Sequence, residues 1–214
     1  FREGAPARAI DVAGGRVTAV RAGDERIECG IVVNAAGAWG AQIGAMVGLT
    51  LPIAPLRRHI FVTGPVPGLD ADFPLTIEFA SGLYFHRESG GVLLGMADPA
   101  DPPRFDDSVN WDFLPTVVDH ALSRLPVLER ATVKTGWAGF YEDTPDHHPI
   151  LGPVDEVAGF LCAAGFSGHG LMHAPSVGEV VAQLVCGETP SVDVSALRFD
   201  RFRRGAVVAE HNVI

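Results

Sequence analysis

The apolar run Gly159-Phe160-Leu161-Cys162-Ala163-Ala164 empties into Gly165-Phe166-Ser167-Gly168-His169-Gly170, and an apolar pattern at helical spacing follows from Leu171 to Val185. A continuous apolar run of this length reads as a strand buried on both faces, the kind found in parallel sheets covered by helices. Three glycines within six positions remove Cβ atoms where strand hands over to helix, so the backbone there is free to take positive φ and a flat group can approach it. The first-turn N–H groups of the helix have no intrahelical acceptor, and the helix dipole adds about half a positive charge. Such a seam suits an anionic or electron-rich ligand. The order Gly-x-x-Gly-x-Gly reverses that of a dinucleotide fingerprint, and spacing alone does not separate a ligand site from a tight connection.

A second run, Ile31-Val32-Val33-Asn34-Ala35-Ala36, ends on Gly37 and leads into a helical pattern whose apolar face is Trp39, Ile43, Met46 and Val47, closed by Gly48 and Pro52. Before it, Arg8–Val12 and Arg16–Arg21 alternate across Gly14-Gly15, which predicts a hairpin. From Pro52 the texture changes to short β-like runs at 53–63, 75–79, 82–86 and 91–96, separated by Gly, Pro and Asp, followed by a helix over 110–125 and a strand over 130–141. The expected fold is α/β with an α+β insertion. Its segments are 1–51 (hairpin, strand, helix), 52–143 (antiparallel sheet plus helix) and 144–214 (return to the first domain with a final strand and helix).

Composition narrows the function. A formal charge of −10 with scattered basic residues disfavours nucleic acid. No apolar run reaches the roughly 18 to 20 residues of a membrane-spanning helix. Three cysteines without a Cys-x-x-Cys pair suggest neither a disulfide framework nor a zinc ribbon, and fit a reducing, cytoplasmic setting. His169-x-x-x-His173 lacks a third ligand, so a metal site is not expected.

The run Ala163–Gly170 with Met172-His173-Ala174-Pro175, preceded by Tyr141-x-x-Thr144-Pro145-Asp146-x-His148-Pro149, resembles the C-terminal half of the FAD-dependent amine and amino-acid oxidoreductases. That family includes the glycine and D-amino-acid oxidases, monomeric sarcosine oxidase, and the β subunits of sarcosine oxidase and proline dehydrogenase. Val32–Trp39 is similar to the family's second FAD-domain motif, and Pro55-x-Arg57-Arg58-His59 to its entry into the substrate domain. The resemblance implies a partial, Rossmann-like FAD-binding domain plus an antiparallel-sheet substrate domain. No Gly-x-Gly-x-x-Gly is found in the sequence, so the N-terminal half that holds the FAD pyrophosphate is expected to lie elsewhere, in a longer chain or a separate one.

The resemblance further implies oxidation of a C–N bond in a secondary amine or amino acid of sarcosine, glycine or proline type, with hydride passing to flavin N5. Cofactor contacts are expected from Ala35, Gly37, Trp39, Pro145, Asp146, His148, Gly165, Ser167, Gly168, His169, Gly170, Leu171 and Met172. N–H groups near Gly170, Leu171 and Met172 would donate to flavin O2. Tyr84, His86 and His173 are the catalytic candidates, and Arg57, Arg58 and Arg87 the candidates for a substrate carboxylate. Gly139 stands where monomeric sarcosine oxidase has its flavin-linking cysteine, so the FAD is expected to be non-covalent. Met172 stands where that enzyme has a lysine, as in proline dehydrogenase-like relatives, which favours a dehydrogenase over an oxidase. The small-molecule substrate and the missing FAD-domain half are the expected partners, with homo- or hetero-oligomers open. A 2-hydroxy acid dehydrogenase on the same scaffold and a non-catalytic assembly module are the alternatives.

Overall fold

A computed structural model describes residues 1–70 and 72–211; the remaining residues of the expected segments 52–143 and 144–214 lie outside the described residues. The chain divides into two compact units, one formed by Phe1–Ala54 with Tyr141–His211, the other by Pro55–Phe140.

In chain order the first unit opens with β1 (Ala7–Ala13), β2 (Arg16–Ala22) and β3 (Glu25–Glu28), an antiparallel sheet in the order β1-β2-β3. The hairpin is the expected one, and β3 adds a strand that the sequence pattern concealed. All four of its residues are exposed, so it carries no apolar alternation to betray it. β4 (Val32–Asn34) follows, then a 3-10 turn (Gly37–Trp39) and α1 (Gly40–Ala45). The helix is shorter than its periodicity suggests, and Trp39 is 49% exposed rather than on the buried face.

The second unit contains β5 (Ala54–Thr63), β6 (Thr76–Glu78), β7 (Leu83–Glu88), β8 (Gly91–Ala97), α2 (Leu114–Arg124) and β9 (Val133–Asp143). Its strands form one sheet in the order β6-β7-β8-β5-β9. One face is packed: Phe61, Phe85, Val92, Leu94 and Met96 join Val117 and Ala121 of α2 in a closed core. Side chains alternate along a strand, so Arg58, Ile60, Tyr84, His86, Leu93 and Gly95 occupy the other face.

The chain then returns to the first unit with β10 (Ile150–Pro153), β11 (Phe160–Ala164), α3 (Gly170–Val185), a 3-10 turn (Ser195–Leu197) and α4 (Arg201–Arg204). β4 and β11 are parallel neighbours, Phe160 opposite Val32 and Cys162 opposite Asn34, while β10 runs antiparallel on the far side of β11. The core here gathers Ile10, Val17, Leu51, Ile53, Ile150, Phe160 and Cys162. Among the described residues no helix is long and apolar enough to cross a membrane.

Candidate functional site

β4 and β11 run in parallel, so their carboxyl ends open on the same side, and the turns leaving them are the two glycine-bearing motifs. Ligands in α/β sheets dock at this kind of place. Asn34 organises the first turn: buried at the end of β4, its amide donates to the Gly40 carbonyl (2.8 Å) and its Oδ1 accepts from the Ala36 N–H (3.3 Å). Gly37 follows at φ +52.

The second turn is locked by the segment 141–148. A Cβ on Gly165 would fall 2.6 Å from Thr144 Cγ2, and one on Gly168 would fall 2.8 Å from Tyr141 Cζ, with the ring's Cε2 closer still. Between them the Ser167 N–H donates to the Glu142 carbonyl (3.1 Å). The spacing Tyr141-x-x-Thr144 thus meshes with Gly165-x-x-Gly168. This revises the expectation for Gly168: what the missing side chain admits at that Cβ position is the chain's own tyrosine ring. Tyr141 is thus a residue of this site that the sequence pattern alone does not single out. Ser167 holds φ +51 while buried, its hydroxyl 3.4 Å from the Gly165 carbonyl. Few non-glycine residues adopt that backbone, and they concentrate at functional sites.

Beyond the lock, α3 begins at Gly170 with His169 as its N-cap residue. The His173 N–H bonds the His169 carbonyl (3.2 Å), so the N–H groups of Gly170, Leu171 and Met172 precede the first intrahelical bond. Leu171 and Met172 are 92% and 69% exposed. Gly170, Ala174, Gly178 and Val181 line one groove with Val33, Ala35 and Ala163. The end of β4 and the start of α3 therefore share one open, nearly featureless apolar wall. Open helix-terminal amides beside two parallel-strand ends fit the anionic and ring portions of a flavin.

Asp146 takes a different part from the cofactor contact expected of it. It is 2% exposed, and Arg201 donates to both of its oxygens, Nε to Oδ2 at 2.7 Å and Nη2 to Oδ1 at 2.9 Å. Burial alone would push this carboxyl up, but the Arg201 guanidinium, the His148 N–H and the Thr144 hydroxyl together hold it below the ordinary range. The backbone carbonyl of Asp146 also accepts from the Glu210 N–H (2.9 Å). Asp146 is thus a clasp for the C-terminal segment, and Pro145 beside it is exposed.

His147 and His148 sit on this loop. His147, at φ +58, places Nδ1 2.7 Å from Asp143 Oδ1. The His148 carbonyl accepts from Thr144 Oγ1 (2.7 Å) and Arg201 (2.8 Å). The rings of His169 and His173 stack at 6.0 Å. With His147 and His148 they line a cavity of about 390 Å³ on the side of α3 that faces Leu151, Val192 and Leu197. The structure brings these histidines together at that cavity, which the sequence did not suggest. Cys162, fully buried, has its thiol pushed up to about 12 by burial.

In the second unit Tyr84 and His86 lie half-buried on the sheet face opposite the core, His86 Nδ1 2.8 Å from the Arg87 carbonyl. Arg57 lies on the packed side and is 5% exposed. Its guanidinium meets Asp101 through Nε (2.6 Å) and Nη2 (3.1 Å), Asp106 (2.9 Å) and the Ser108 carbonyl (2.8 Å). This occupancy removes Arg57 from the set able to grip a substrate carboxylate within the unit. Arg58 shares the face of Tyr84, with one guanidinium N–H 3.3 Å from the Arg57 carbonyl. Arg87 is exposed.

The DAO family of FAD dependent oxidoreductases matches residues 1–184. The chain belongs to that family. It is 36% identical over 206 residues to FAD-dependent oxidoreductase domain-containing protein 1 of Bos taurus, covering 88% of this chain and 42% of that protein. Mitochondrial sarcosine dehydrogenase of Mus musculus is 27% identical over 196 residues, covering 87% of this chain and 21% of its own length. Among solved structures, L-proline dehydrogenase from P. horikoshii superposes with a TM-score of 0.85 at 31% identity, covering 96% of this chain and 55% of that one. The chain therefore spans less than half of the bovine relative. The cofactor of the family is FAD, and its fold is the α/β arrangement expected from the sequence.

Proposed function

We propose that this chain forms the flavin-facing and substrate-facing part of an enzyme that oxidises the C–N bond of a secondary amine or amino acid of sarcosine, glycine or proline type. The observation that carries the reading is the open N-terminus of α3 beside the carboxyl ends of β4 and β11. A bound flavin would accept the hydride from the substrate carbon. The N–H groups of Gly170, Leu171 and Met172 would hold the negative charge that accompanies reduction, an electrostatic task for preset donors that need no rearrangement. Ala35 and Gly37, at the end of β4, line the same approach, and the Tyr141–Gly168 mesh keeps the turn rigid.

On the second unit, Tyr84 is the side chain proposed to face the substrate, with His86 beside it. The commitment of Arg57 to Asp101 and Asp106 supports Arg58, on the face of Tyr84, as the carboxylate partner, with Arg87 the other candidate. Gly139, at the position of the flavin-linking cysteine of monomeric sarcosine oxidase, supports a non-covalent flavin. The apolar groove along Gly170, Ala174 and Gly178, and β4 at the end of its sheet order, support a complementary segment bearing the pyrophosphate site, supplied by the same or another polypeptide. Met172 supports a dehydrogenase that passes electrons to an acceptor other than oxygen, and the three unpaired cysteines support a reducing, cytoplasm-like compartment.

Anaerobic addition of N-methylglycine, glycine or proline to the full-length protein is expected to bleach its flavin absorbance, with slow recovery in air and fast recovery with an artificial acceptor. Bleaching by 2-hydroxyglutarate alone would replace the amine with a 2-hydroxy acid, and a protein without bound flavin would remove the catalytic reading.

A further inference from the structure

On the face of the five-stranded sheet opposite its core, Tyr84, Gly95 and Ile60 form one cross-strand row: Tyr84 pairs with Gly95, and Gly95 with Ile60. A Cβ on Gly95 would fall 2.5 Å from Tyr84 Cε2, and Cζ and the hydroxyl are nearer still. The ring therefore lies flat over the backbone of β8 instead of standing away from the sheet. Gly95 is not in the left-handed region, so no backbone conformation requires glycine there. A glycine inside a regular strand is destabilising relative to alanine, because it loses more conformational freedom on folding. Its neighbours on that face of β8, Leu93 and Ala97, both carry side chains, and the gap at Gly95 is filled by the tyrosine.

We propose that Gly95 is a positioning residue: it lets Tyr84 lie down, and so sets the room above the sheet for the substituent on the substrate nitrogen. The inference rests on the reading that Tyr84 faces the substrate. With the ring flat, the site admits a cyclic secondary amino acid as well as an N-methyl one. A methyl group at position 95 lifts the ring into that room and selects for the smaller amine.

The test uses the full-length flavoprotein with Gly95→Ala, Tyr84→Ala and the double variant, comparing kcat/KM for proline and N-methylglycine. Tyr84 ring resonances, assigned by their loss in Tyr84→Phe, are followed by NMR. Gly95→Ala is expected to move those resonances and to lower kcat/KM about tenfold more for proline than for N-methylglycine, the scale of one misplaced methylene in a pocket. In the Tyr84→Ala background the same change is expected to cost nothing. Unmoved resonances, equal losses for both substrates, or the same loss without the tyrosine would overturn the proposal. If Gly95→Ala does not fold, Tyr84→Ala must restore folding, and failure in both backgrounds also overturns it. A parent protein that oxidises neither amine defeats the amine reading and the selectivity, while the resonance shift still decides whether Gly95 holds the ring.

Discussion

Arg201 grips Asp146 across 55 positions of sequence, with both partners under 5% exposed at the side chain. The pair joins the loop after β9 to α4, and α4 lies beyond the residues matched by the family. Removing one partner strands a buried charge, which typically costs about 3–5 kcal/mol. Arg201→Met is expected to lower the urea midpoint of the full-length protein accordingly. Asp146→Leu combined with Arg201→Met is expected to cost less than Arg201→Met alone, and a double variant worse than the single would refute the account.

Acid should attack the same clasp. Asp146 is held below the ordinary carboxyl range, and Asp106 is drawn to about 2 by the Ser108 hydroxyl and N–H, then by Arg57 and Arg104. A depressed folded-state value stabilises above the unfolded value of about 3.9 and is lost as pH falls through the folded one. Stability is thus expected to be level with respect to both groups above about pH 5 and to decline below about pH 4. In Asp106→Asn the decline should be shallower, measured by thermal melts across pH.

Gly168 tolerates no side chain by two independent criteria, its φ of +91 and the Tyr141 ring. Alanine at a positive φ costs more than the ~1 kcal/mol it would gain from stiffening the unfolded chain. Gly168→Ala is expected to melt earlier and to retain less flavin. Adding Tyr141→Ala should recover part of the melting temperature, because it removes the clash and leaves only the backbone strain; no recovery would show that the ring is not the obstacle.

His59 is fully buried, and neither ring nitrogen has a hydrogen-bond partner among the described residues; Nε2 lies 4.0 Å from Asp101 Oδ2, and the ring packs on Phe61 and Phe113. Burial, then the Arg57 charge, keeps it neutral. Replacing an unsatisfied polar ring with an apolar one of similar shape is near neutral or stabilising. His59→Phe should leave the melting temperature unchanged or raise it at pH 7, and should flatten the loss of stability below about pH 6.5, where the unfolded histidine charges. A marked loss at neutral pH would mean the imidazole has a partner in solution.

The elements legible in the sequence were those with a strong period: β11, α3, α2 and the first hairpin announce themselves by apolar runs or turn glycines. β3 is short with every residue exposed, and α4 is a four-residue turn too short to show an apolar period. The glycine turn was legible as a site, but its internal partners were not. Nothing local in Tyr141-x-x-Thr144 says that it will mesh with a turn more than twenty positions later. Likewise Asp146 looked like a motif residue because its partner, Arg201, is distant, and Arg57 looked available because the aspartates that claim it, Asp101 and Asp106, lie 44 and 49 positions away in sequence.

α3 is sixteen residues long, with four Val, two Leu and two Ala, and only Val180 along it is buried. A face of that kind is a liability when the 214-residue polypeptide is prepared alone. It should adsorb hydrophobic dyes and self-associate, and co-production with the complementary segment proposed above should abolish both behaviours.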